Sequence, residues 1–126
     1  MVMKYIHYAT FNGKHNLEKS KLFLTLYYRQ FEQGIKQGLD ITGLVELSMT
    51  NEHYMVGKIP QWTEYKYLKR GPGVGVKGFP AYCYKLAARG IRFCEVRIPV
   101  ELREKILADI RKRLGPDSNN IKGLFS

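Results

Sequence analysis

The sequence predicts an α+β fold, a ferredoxin-like βαββαβ sheet with an insertion near 60–78 and an added C-terminal helix. Three observations lead there. Apolar residues make up 44% and aromatics 13% of the 126 residues, enough for a packed core without disulfide staples. Short stretches of alternating or β-branched character recur between longer stretches of helical period. Glycine and proline punctuate most of the boundaries between them.

Residues 2–10, VMKYIHYAT, are rich in aromatic and β-branched types and read as the first strand. Asn16 then caps a long helix, LEKSKLFLTLYYRQFEQGIKQG, with Glu18 in its first turn and Gly38 at its end. Leu17, Leu24, Tyr28, Phe31 and Ile35 recur at helical spacing and are expected to face the core. Phe23, Leu26 and Tyr27 widen that stripe, so burial on more than one side is expected. LVELSM (44–49) and HYMVGKI (53–59) read as a hairpin turned at Thr-Asn-Glu and ended by Pro60, although LVELSM alone also fits a helical turn.

The next segment, PQWTEYKYLKR, combines a helix-opening proline with the alternation of Tyr65 and Tyr67, and falls in the insertion. Pro80 opens a second helix, AYCYKLAAR, that Gly90 closes. IRFCEVRI (91–98) reads as a strand stopped by Pro99. VELREKILADIRKRL is the clearest helix: Leu102, Ile106, Ile110 and Leu114 line one face, Glu101 and Glu104 open it, and Arg111, Lys112 and Arg113 close it. Gly115-Pro116 ends it, which makes residues 1–116 one domain and 117–126 a polar tail.

Charge is distributed unevenly. Residues 1–63 carry 7 basic and 5 acidic side chains, whereas residues 64–126 carry 14 and 6. From Lys66 to Arg97 eight basic residues face a single acid, Glu95. A local excess of one sign repels itself unless an anion meets it, and nucleic acid, DNA or RNA, is the commonest polyanion to do so. An anionic membrane surface is the second candidate. The sequence has no apolar run long enough for a membrane span and no signal segment, so a cytoplasmic protein is expected. Cys83 and Cys94 lie among apolar neighbours without metal-ligand spacing and read as inert core thiols.

The stretch KRGPGVGVKGFP (69–80) concentrates four of the 12 glycines in eight positions between basic ends. GVGVKG fits G-x-G-x-x-G, but a dinucleotide site also needs a preceding strand, a following helix and an acid about 20 residues on, and Glu95 falls mid-strand. No Gly-Lys-Ser/Thr exists for a nucleoside triphosphate loop. A looser role remains, in which Gly73, Gly75 and Gly78 turn backbone N–H groups toward phosphates while Lys69, Arg70 and Lys77 supply charge. The competing explanation is a plain connector. The loop resembles the glycine-rich loop of repeat-associated RNA-processing proteins over Gly73, Gly75, Gly78 and Phe79. That resemblance implies a ferredoxin-like fold and contact with RNA.

Trp62, Tyr65, Tyr67, Phe79, Tyr82 and Tyr84 interleave with the cations, as single-stranded nucleic acid requires for stacking. Each taken singly has an equally good core explanation. Tyr82-Cys83-Tyr84-Lys85 resembles the Tyr-x-x-Lys motif of rolling-circle replication initiators, which implies a tyrosine nucleophile and a metal-assisted nuclease. Their paired-histidine motif is matched here by His53-Tyr54-Met55, with one histidine rather than two. In texture, with YIHYATF, YKYLKR and RKRLG, the chain resembles small uncharacterised proteins of hyperthermophilic archaeal viruses of the Pyrobaculum spherical virus type. That resemblance implies a host-cell cytoplasmic setting and no activity.

The expected function is non-catalytic binding of nucleic acid through its phosphate backbone, with no cofactor and no metal. Lys69, Arg70, Lys77, Lys85, Arg89 and Arg92 bear the charge and Gly73, Gly75 and Gly78 shape the loop. The rival is a structural or protein-interaction module, a homodimer whose basic face meets an acidic partner.

Overall fold

The computed structural model describes residues 14–73 and 81–115. The predicted first strand, the loop residues Gly75, Lys77 and Gly78, and the predicted tail lie outside them. Helix α1 (Lys14–Tyr27) continues as a wider π-helical turn over Tyr28–Glu32. Leu22, Phe23, Leu24 and Leu26 are all buried, as is Tyr28, so α1 is covered on several sides rather than along one stripe. The predicted stripe is too simple at its margins: Leu17 is 38% and Phe31 53% exposed.

The next two elements overturn the predicted hairpin. Helix α2 (Ile41–Ser48) and helix α3 (Glu52–Glu64) are separated only by Met49, Thr50 and Asn51. Each start has a side-chain cap. Asp40 Oδ1 accepts from the Gly43 N–H at 2.7 Å, and Asn51 Oδ1 accepts from the Tyr54 N–H at 3.1 Å. Such caps satisfy N–H groups that a helix start leaves unpaired. Met49 takes the left-handed conformation (φ 55°) that ends α2 and redirects the chain. Leu44 and Ser48 face inward from α2, and Met55, Ile59 and Trp62 from α3. That 3.6-residue period is why both segments are helices. Two helices joined by a three-residue turn have the element order of a helix-turn-helix.

Pro60, expected to end an element, stands inside α3 on its exposed side. It lacks the N–H that would bond the Val56 carbonyl four residues back. Pro60→Ala is therefore expected to raise stability by about 1–3 kcal/mol, read as a higher denaturation midpoint in urea. An unchanged or lower midpoint would show that the helix has no strain to relieve at this position.

Strand β1 (Leu68–Gly73) follows α3 after three residues and pairs antiparallel with β2 (Ala81–Leu86), in the register Leu68↔Leu86 through Gly73↔Ala81. Leu39 bridges to Tyr84 by reciprocal backbone bonds of 2.7 and 3.0 Å and adds a one-residue third strand. Gly38 permits that approach, because a Cβ there would stand 2.5 Å from the Tyr84 carbonyl oxygen. The segment 81–86 was expected to be helical. It alternates instead, with Tyr84 and Leu86 buried and Tyr82 on the same side, because its edge is occupied by β1 and by Leu39.

The segment 91–98 was expected to be a strand. It forms helix α4 (Ala88–Arg92) and a π-helical turn over Phe93–Arg97, burying Phe93, Cys94 and Ile98. Helix α5 (Val100–Leu114) has the predicted bounds. Its Arg113 donates to the Leu47 carbonyl at 2.9 Å, tying the end of α2 to the C-terminal helix.

The ferredoxin-like sheet is thus corrected. Among the described residues the chain is mainly helical, with one two-stranded hairpin. The described elements share one apolar core centred on α1.

Candidate nucleic-acid interface

The hairpin concentrates the cations. Lys69 and Lys85 are directly opposed across β1 and β2, so both side chains stand on one face. Beside them runs the segment that leads to Leu39, and the Lys85 ammonium reaches the Lys36 carbonyl at 3.4 Å. A cavity of about 240 Å³ is lined by Lys36, Lys69, Arg70 and Lys85, with Gly71 and Cys83 among the residues at its wall. Arg70 also stacks on Tyr82, its guanidinium 4.3 Å from the ring centroid. None of these four cations has a carboxylate within ion-pair distance among the described residues.

Like charges directly opposed on a strand pair cost stability, so this face is not arranged for the fold alone. It suits a ligand with several negative charges spaced along a chain, which each ammonium or guanidinium meets separately. Gly73 belongs to the hairpin for a steric reason: a Cβ there would lie 2.6 Å from the Cys83 sulfur.

Of the residues expected to form the site, Lys69 and Lys85 come together on one face of the hairpin, whereas Arg70, next along the strand, borders the cavity but turns its guanidinium to the other face, against Tyr82. Arg89 does not join them. It donates to the Tyr65 carbonyl at 2.7 Å and lies 4.3 Å from the Tyr67 ring centroid, which pins the connection between α3 and β1. Arg92 is exposed on α4 and does not line the cavity. Gly75, Lys77 and Gly78 fall outside the described residues. Lys36 was missed because it stands in a polar segment, QGIKQG, with no signal of its own.

The C-terminal cations are differently employed. Arg111 holds Glu32 through two bonds, of 2.8 and 2.6 Å, and this partner keeps the Glu32 carboxyl below its ordinary pKa. Arg113 pairs with Asp109 at 2.9 Å.

The nuclease resemblance loses its geometry here. Tyr82 and Lys85 are three residues apart on a strand, so their side chains leave opposite faces. Tyr82 is 46% exposed, and the group stacked on it is Arg70 rather than a histidine. Among the described residues no three His, Cys, Asp or Glu side chains converge on a metal position. Nor, among them, is any helix long and apolar enough to cross a membrane.

One cation is inside. Lys19 is 9% exposed, and its ammonium lies 4.0 Å from the Tyr67 ring centroid, 4.4 Å from Phe93, 5.5 Å from Phe23 and 5.8 Å from Trp62. Burial, helped by the positive charges of Arg89, Arg97 and Lys58, lowers its pKa to about 8. Cys94, next to Phe93 on the π turn, is buried, and desolvation pushes its thiol pKa up, which keeps it protonated and unreactive.

No protein-family profile matches the chain, and no curated protein matches it. Solved structures to which the chain is similar include the following two. One is a transcriptional regulator from Thermotoga maritima, 20% identical over 83% of this chain and 68% of that one, with a TM-score of 0.45. The other is a MarR family protein from Mycobacterium tuberculosis, crystallised with salicylic acid, 15% identical over 98% of this chain and 90% of that one, with a TM-score of 0.40.

Proposed function

We propose that the protein binds double-stranded DNA without catalysing a reaction. The observation that carries this reading is the set of four cations, Lys36, Lys69, Arg70 and Lys85, that have no carboxylate partner among the described residues and surround the hairpin that follows a helix-turn-helix. A helix-turn-helix lays its second helix in the major groove of B-form DNA, which is wide enough to admit it. The second helix here is α3. Three residues beyond its end the chain enters β1, whose cations meet the phosphates flanking the groove. The major groove of an RNA duplex is too deep and narrow for a helix, so DNA is preferred over RNA.

Affinity for a DNA duplex of mixed sequence is expected to fall by at least about tenfold between 50 and 200 mM salt, while an RNA duplex of the same sequence binds more weakly throughout. Fluorescence anisotropy on the two labelled duplexes reads both effects. Salt-independent binding, or equal affinity for the RNA, would overturn the reading. Dimers without any duplex binding would favour the protein-interaction alternative.

A further inference from the structure

The exposed face of α3 has a chemistry that phosphate binding does not use. His53, Val56, Gly57, Pro60, Gln61 and Glu64 point outward on successive turns, while Met55, Ile59 and Trp62 fasten the helix to the core. The one cation on α3, Lys58, leans on the Tyr54 ring, 5.6 Å from its centroid. Glu52 opens the helix and Glu64 closes it. A face with carboxylates at both ends, whose one nearby cation is half-buried against a ring, gains little from a phosphate backbone. It is left to contact base edges.

Its centre is apolar. Val56, 51% exposed, and Pro60 stand one turn apart. Gly57 lies on the same face with open space where a Cβ would be, so the helix backbone can come close to whatever lies against it. The apolar group on a base edge in the major groove is the C5 methyl of thymine. Gln61, one turn from Gly57, has the carbonyl and amide that pair with adenine N6 and N7. Methyl contacts and an adenine contact on one helix face both select A·T pairs.

Resting on the reading of the protein as a duplex-DNA binder, we propose that α3 selects A·T-rich sites by packing Val56 and Pro60 on thymine methyl groups, with Gln61 on adenine. The test compares an alternating dA–dT duplex with a dA–dU duplex, which differs only by the loss of each methyl group, at one salt concentration. The dA–dT duplex is expected to bind about tenfold more tightly, roughly what covering two methyl groups gives. Val56→Ala and Pro60→Ala are each expected to shrink that ratio to about threefold, and Gln61→Ala to narrow the preference over a dG–dC duplex. Pro60→Ala separates the effect from misfolding, because the same variant is expected to be more stable than the parent. Equal binding of the dA–dT and dA–dU duplexes overturns the methyl contacts and leaves DNA binding standing. Failure to bind any duplex overturns the reading on which the inference rests.

Discussion

A Lys69→Gln/Arg70→Gln/Lys85→Gln triple variant is expected to bind duplex DNA about 10²–10³-fold more weakly near 0.1 M salt than the parent protein does. The plot of log affinity against log salt should also become shallower by about 3. Each cation that neutralises a phosphate releases counterions and contributes about 0.9 to that slope, so three lost contacts set both numbers. The fold should survive. Lys69 and Lys85 repel each other across the hairpin, and glutamine removes that repulsion. Arg70 gives up its stacking on Tyr82, worth about 0.5–1 kcal/mol at an exposed site. The thermal midpoint should therefore move little. Arg111→Gln is the comparator, since that guanidinium is held by Glu32 and is expected to leave the slope unchanged. A triple variant with the parental slope would place the DNA elsewhere on the molecule.

How far the sequence announces this interface differs from element to element. Helix α5 is legible to its ends because its apolar positions, its charged termini and its glycine stop agree. The hairpin cations are legible as a local excess of charge, with no need of the right fold. The segment 44–59 is misread because LVELSM and HYMVGKI are short apolar runs, and over so few residues a period of 2 and a period of 3.6 both fit. The signals that would have decided it are Asp40 and Asn51, cap residues placed just before each run. Pro60 concealed them by suggesting a boundary inside what is one helix.

The exchange of helix and strand over 81–98 has another cause. AYCYKL contains no strand-breaking residue, and Pro80 before it invites a helix, yet tertiary pairing with β1 and Leu39 prevails. IRFCEVRI alternates on paper. In place, Cys94 and Ile98 lie on one helical face with Phe93 beside them, and the π turn brings all three inward. The Lys19 cluster could not be read at all. Its rings come from α1, α3, the segment before β1 and the π turn, which only the folded chain brings together.

Lys19→Met is expected to stabilise the protein at pH 7 by roughly 2–3 kcal/mol and to abolish a rise in stability between pH 8 and 10. Four rings around an ammonium favour its charge, by about 0.5–2 kcal/mol for each good contact. Burial acts the other way and, with the positive charges of Arg89, Arg97 and Lys58, lowers the pKa to about 8. An unfolded lysine titrates near the ordinary 10.5. Between those two values the unfolded chain holds more protons than the folded one, so stability climbs with pH across that window. Below pH 8 the folded protein carries the full cost of the buried charge. Methionine has a similar length and packs well against rings without a charge to desolvate.

Tyr27 limits the window from above. Its bond to Glu95, 2.7 Å long, raises its pKa to about 12, so that folding is favoured less as pH climbs beyond 10. The two slopes have opposite signs, and their ranges meet only above pH 10. Urea unfolding at half-unit steps from pH 7 to 10 should thus show the parent gaining on the methionine variant until the two nearly meet. Parallel curves, or a methionine variant weaker at pH 7, would mean that the rings hold the ammonium at little cost and that Lys19 strengthens the junction of α1, α3 and the hairpin.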